Sequence, residues 1–125
     1  MLAFKVELKS GASVYEQVIY AVKKAIVSGR LQPGDRFPSV RTLSQELRIN
    51  PNTAHKIVAA LIDQGLLEVR PGIGTKVAEV PPPDARQRRD LLGKDLERLV
   101  VEAKKLALDL DEVILALKEH WDELS

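Results

Sequence analysis

The dipeptide Asn50-Pro51 constrains this chain more than any other pair of residues. Asn is among the strongest N-cap residues, and Pro is favoured at the first helical position because its missing N–H would be unpaired there anyway. A new helix therefore starts at Pro51. Its predicted inward stripe is Ala54, Ile57, Val58, Leu61 and Ile62, while Asn52, Thr53, His55 and Lys56 face outward and Ala59 lies on the flank. A shorter helix signal comes just before it: Pro38-Ser39 can cap and start a helix, with Val40, Leu43 and Leu47 at helical spacing. After Gln64-Gly65 ends the second helix, Leu67 to Arg70 and Thr75 to Val80 read as strands joined by Pro71-Gly72-Ile73-Gly74. Two short helices a tight turn apart, followed at once by a glycine-rich hairpin, make the expected fold mainly α with a small β-hairpin: a winged helix-turn-helix.

Upstream, Ser13 and Glu16 have capping-box spacing, and Val14, Val18, Val22, Ala25 and Ile26 recur in helical steps as far as Gly29. A first helix is expected over about 14 to 28, followed by a turn through Leu31-Gln32-Pro33-Gly34-Asp35. Residues 3 to 9 alternate apolar and charged side chains and read as either a short strand or an extended arm.

Downstream, Pro81-Pro82-Pro83 is the clearest boundary, since consecutive prolines continue neither a helix nor a central strand and favour an extended spacer. Beyond it, Leu92, Leu96, Leu99, Ala103 and Leu106 are spaced as a coiled-coil-like seam. Asp109 with Glu112 reads as a fresh capping box, so two helices are predicted, about 84 to 107 and 110 to 123. Val113, Ile114, Leu117, Trp121 and Leu124 form a second stripe. The expected organisation is a winged helix-turn-helix domain over 1–80, a proline linker at 81–83 and a two-helix tail over 84–125. A helix held off by three prolines has limited access to the first domain, so its apolar stripe needs another partner, and self-association is the economical answer. The predicted dimerisation residues are Leu92, Leu96, Leu99, Ala103, Leu106, Val113, Leu117 and Trp121.

At 125 residues the chain can bury a real core, roughly two-thirds of its unfolded surface. It has no cysteine, which excludes disulfides, thiolate nucleophiles and Cys-based zinc sites. No apolar run approaches the ~18 residues of a membrane span, and the stretch from Met1 to Lys9 lacks a signal-peptide centre, so a cytoplasmic protein without a membrane partner is expected. The net charge of +1 hides an asymmetry: residues 1 to 80 hold 11 Lys/Arg against 7 Asp/Glu, and residues 81 to 125 hold 8 against 11. The first part is the one suited to an anionic partner. Between Glu46 and Asp63 there is no carboxylate at all, a gap that a face approaching a polyanion requires.

The order of motifs is specific. Tyr15-Glu16-Gln17-Val18, Gly29-Arg30-Leu31, Pro33-Gly34-Asp35, Pro38-Ser39-Val40-Arg41, Asn52-Thr53, Gly65-Leu66 and Gly72-Ile73-Gly74-Thr75 together closely resemble the DNA-binding domain of GntR-type transcriptional regulators, over residues 13 to 78. Asn50-Pro51-Asn52-Thr53 and the short helical tail look like the YtrA-like subfamily. That resemblance implies compact repressors with a dimerisation tail in place of a large ligand-binding domain, often controlling transporter operons. The chain departs from the subfamily at Val58, where an aromatic residue is frequent, and at Ala59, where a polar one is common. No role is carried over at those two positions.

The resemblance and the residue chemistry converge on a set of expected DNA contacts. Arg41 matches a family arginine that touches DNA, and Ser39 stands beside it. Asn50 is a cap first. Asn52 can offer a donor and an acceptor to an adenine edge. Thr53, His55 and Lys56 share the exposed face of the recognition helix, whose free N–H groups suit phosphate oxygens. At the wing, Gly72 and Gly74 allow close backbone approach, with Arg70, Thr75 and Lys76 flanking. His55 and His120 are far apart and form no metal site, and no cofactor is expected. Gly72-Ile73-Gly74 lacks the third glycine and the following helix of a dinucleotide fingerprint, and no nucleophile-base pair is evident, so an enzyme is not expected. The leading expectation is a dimeric repressor on double-stranded DNA with an inverted-repeat operator. The competing one is a winged-helix module that docks on another protein. A tail of about forty residues is too small to enclose a sizeable pocket alone, which leaves the space between paired tails for any small-molecule effector.

Overall fold

The computed structural model describes residues 2–79 and 84–125, which fall into two compact units divided between residues 80 and 81. The predicted linker Pro81–Pro83 lies outside the described residues.

In the first unit, α1 spans Val14–Val27, α2 Val40–Leu47 and α3 Pro51–Asp63, and the hairpin strands are β1 (Leu67–Arg70) and β2 (Gly74–Val77). Each helix starts where side-chain chemistry dictates. Ser13 accepts the Glu16 N–H, Ser39 accepts the Thr42 N–H at 3.1 Å, and Asn50 accepts the Asn52 N–H at 2.7 Å with Pro51 following in the first turn. α1 stops at Gly29, whose φ of +81° suits a residue without Cβ.

The inward stripes of the three helices meet in one core: Val18, Ile19, Val22 and Ala25 from α1, Leu43 from α2, and Ala54, Ile57, Val58 and Leu61 from α3. Leu31, Phe37, Leu67 and Val77 close it from the turn and the hairpin. Ile62, expected in this stripe, is exposed. At helical pitch it lies about 100° round from Leu61, past the edge already set by Val58. Ala59 is exposed as well.

Residues 3 to 9 form no strand, but they are held in place. The Phe4 ring stacks on Phe37 with centroids 5.6 Å apart and planes 8° from parallel, and both rings are buried. The Gln17 side chain accepts the Lys9 N–H and donates to the Lys9 and Ala12 carbonyls.

The hairpin differs from expectation at both ends of its second strand. β2 begins at Gly74, paired with Arg70, and ends at Val77, paired with Leu67, because β1 itself starts directly after the exit from α3. Ala78 bonds instead to the Leu66 carbonyl, and Val80 lies outside the described residues. The sequence reading also missed a third edge. Gly34 donates to Val77, Val77 to Asp35 at 2.8 Å and Phe37 to Thr75 at 2.9 Å, with Arg36 opposite Lys76, so the segment before α2 lines the wing. Between Pro33-Gly34 and Pro38 it is too short to show an alternating pattern.

In the second unit, the expected single helix over 84 to 107 has three parts: α4 (Ala85–Asp90), a wider π-helical turn (Leu91–Asp95) and α5 (Leu96–Lys105). Gly93, the poorest helix former of the segment, sits in the middle of that turn. The chain then reverses through Ala107, at φ +58°, with Leu108 donating to the Ala103 carbonyl. α6 (Leu110–Glu123) opens on a complete capping box, Asp109 accepting from the Glu112 N–H and Glu112 from the Asp109 N–H.

Candidate nucleic-acid interface

The core just described decides which side of α3 is free. Because Ala54, Ile57, Val58 and Leu61 are buried, Asn52, His55, Lys56 and Ala59 are exposed, with Thr53 half-buried between the faces. Pro51 opens the helix outward, so the amides of its first turn and its positive dipole end belong to the same surface. No carboxylate occurs on α3 before Asp63 at its last position.

α2 packs across α3 through Leu43, and its turn into α3 is tightly bonded. The Ser44 hydroxyl, largely buried, donates to the Ile49 carbonyl at 2.8 Å, while the Arg48 and Ile49 N–H groups both return to the Ser44 carbonyl. Arg41 is exposed in the first turn of α2. The Ser39 hydroxyl accepts from the Thr42 N–H and donates to Thr42 Oγ1 at 3.0 Å, and the Asn50 side-chain oxygen is taken by the Asn52 N–H. Both of these expected contacts are thus engaged as caps, while the side-chain N–H groups of Asn50 can still donate to a partner.

The wing is more mixed than the sequence implied. Arg70, expected as a free contact, is held by Glu68, with Nε at 3.1 Å and Nη2 at 3.0 Å from the same carboxylate oxygen. Neighbours two apart on a strand share a face, which is why the pair forms. Both side chains are exposed, so the pair is weak and a phosphate can compete for the guanidinium. Gly72 and Gly74 have φ of +77° and +109°, the reversal that needs them. Thr75 is half-buried with its carbonyl taken by Phe37, and Lys76 is half-buried opposite Arg36.

Two cations escaped the sequence reading. Arg36 lies on the third edge of the wing, and Arg48 sits at the turn between α2 and α3 in a left-handed conformation. The first follows directly on the predicted turn Leu31–Asp35, in a stretch too short to show a strand pattern. The second had a signal, an arginine two residues before a strong N-cap, where a turn glycine is usual.

In the tail, Leu92, Leu96, Leu99, Leu106, Leu117 and Trp121 are all exposed, and Val113 is partly so. Ala103 differs from them: it is buried within the chain, with the Leu108 N–H bonded to its carbonyl at the reversal. Among the described residues no group of His, Asp and Glu is placed to hold a metal ion, and no helix is long and apolar enough to cross a membrane.

A short helix, a bonded turn, a recognition helix with an acid-free face and a glycine-tipped hairpin define a winged-helix protein of the DNA-binding class. The family described as "Bacterial regulatory proteins, gntR family" matches residues 14–77, which spans all of these parts. The chain belongs to this GntR family of transcriptional regulators. It is similar over most of its length to the HTH-type transcriptional repressor YtrA of Bacillus subtilis (strain 168), with 28% identity over 92% of this chain and 89% of that protein. A crystal structure of a transcriptional antiterminator from Listeria monocytogenes EGD-e shares the fold, with a TM-score of 0.83 at 24% identity, covering 97% of this chain and 91% of that one. The DNA-binding domain of AraR, solved in complex with operator ORX1, matches 59% of this chain and 95% of its own at 29% identity, with a TM-score of 0.50.

Proposed function

We propose that the protein is a homodimeric transcriptional repressor that binds an inverted-repeat operator through α3 and blocks polymerase. The observation that carries this reading is the solvent side of α3: Asn52, His55 and Lys56 are exposed beside the helix's positive end, with no acid before Asp63. Affinity comes from phosphate neutralisation by Arg41, Lys56 and the wing cations, and choice of sequence from Asn52 and His55. Ser39, Asn50, Thr53, Gly72, Gly74 and Thr75 shape the surface or meet the DNA backbone. The similarity to YtrA supports repression, and the AraR–operator complex supports DNA as the partner. The protein then works in the cytoplasm, where its operator is.

Dimerisation rests on the tail. Leu92 is 69% exposed, Leu110 72% and Trp121 75%, far more apolar surface than two short helices leave open without a partner. A two-fold dimer presents its two α3 helices to major grooves one turn apart, roughly 34 Å.

Gel shifts on fragments from the upstream region, at two salt concentrations, test the reading. Binding is expected to weaken steeply with salt. Arg41→Ala is expected to weaken binding to all sequences, and Asn52→Ala to narrow the gap between operator and random DNA. A wild-type chain that retards no fragment at either salt would transfer the exposed face of α3 to a protein partner.

A further inference from the structure

Of the described non-glycine residues, only Arg48 and Ala107 have positive φ, and Arg48 lies in the middle of the DNA-facing unit. Its φ of 53° and ψ of 49° place it in the left-handed region, which an L-residue with a Cβ enters at a cost and which glycine or asparagine occupies with little. The conformation is imposed. Arg48 and Ile49 both donate to the Ser44 carbonyl, the Ser44 hydroxyl returns to Ile49, and half-buried Leu47 and Ile49 anchor the chain on either side. Arg48 is therefore the exposed tip of a rigid turn, two residues before the cap of α3. Among the described residues its guanidinium has no ion-pair partner, and it belongs to the stretch from Leu47 to Ile62 that contains no acid.

We propose that Arg48 is a phosphate contact of the DNA-binding surface, an arginine kept at a backbone position better suited to glycine because its charge serves binding rather than folding. The inference rests on the DNA-binding reading above and extends it to a residue that lies on neither helix. A local rule broken without a folding gain is the mark of such a site. The ordinary alternative is that Arg48 complements the negative end of α2, in which case its charge serves stability.

Arg48→Gly and Arg48→Lys in the full chain separate the two roles. Gly relieves the backbone and removes the charge, whereas Lys keeps the charge in the same strained conformation. For Arg48→Gly the melting temperature is expected to hold or rise by a few degrees. Operator and random DNA are both expected to bind about tenfold more weakly at low salt, with the log–log salt slope reduced by about two because each copy in the dimer loses one phosphate contact. Arg48→Lys is expected to keep the wild-type slope and most of the affinity. Unchanged affinity and slope in Arg48→Gly would overturn the proposal, whatever the melting temperature does. So would a loss of affinity that Arg48→Lys does not restore, since the backbone rather than the charge would then be responsible. Arg41→Ala is the control: if it too leaves binding untouched, the DNA-binding surface itself is misplaced, and if it weakens binding while Arg48→Gly does not, only the role of Arg48 fails.

Discussion

The Ser44 hydroxyl donates to the Ile49 carbonyl at 2.8 Å, a bond that leaves α2, crosses the turn and ends one residue before the cap of α3. Ser44 is only 8% exposed, so water cannot replace its hydroxyl freely. Ser44→Ala is expected to cost about 1–2 kcal/mol, because the donor is lost and a shielded carbonyl is left without it. A lower urea midpoint with an unchanged slope is the expected reading. An unchanged midpoint would mean the backbone bonds alone hold the turn.

Asn50 separates folding from binding. Asn50→Ala removes the acceptor for the Asn52 N–H and is expected to cost about 1 kcal/mol. Asn50→Asp keeps an acceptor at the positive end of α3 and is expected to fold as stably as the parent. Its new carboxylate would stand beside phosphate, so operator affinity measured by anisotropy is expected to fall. Equal affinity for the Asp variant and the parent would place the start of α3 away from the DNA backbone.

Phe4 reaches the wing through Phe37. The stacked, buried pair fixes the residue whose N–H bonds to Thr75 of β2. Phe4→Ala is expected to destabilise the domain by about 3 kcal/mol. Faster hydrogen exchange at the Phe37 and Val77 amides would show that the loosening extends to the third edge of the wing.

The tail is tested by charge. Leu99→Glu combined with Leu117→Glu places carboxylates on exposed apolar faces of α5 and α6, where a monomer tolerates them and a dimer interface does not. Sedimentation equilibrium is expected to show a dimer for the parent and a monomer for the variant, with weaker operator binding. A parent that sediments as a monomer at micromolar concentration would remove the tail from the mechanism.

The helices of the first unit were legible because their signals are local. A cap side chain bonds to an amide two or three residues away, and the stripes of α1 and α3 follow from helical pitch, so Ser13, Ser39 and Asn50 mark the starts that the structure has. Errors came where the outcome depends on residues distant along the chain. Ile62 fits the helical pattern, but which flank is covered depends on where α1 and α2 pack. The strand-like edge at Arg36 depends on β2, some forty residues later. Arg70 is a local exception: Glu68, two residues before it on the same strand, shares its face and pairs with it.

The sequence by itself determined where the helices of the first unit begin and end, which faces are apolar, where carboxylates are excluded and that the chain carries the motifs of its family, because capping, periodicity and charge are written over a few neighbouring residues. Only the tertiary structure decided which flank of α3 is covered, that the wing has a third edge, and that an arginine occupies a left-handed turn beside the recognition helix. Those outcomes depend on bonds between segments that meet only after packing, and a side chain's availability to a partner is settled there.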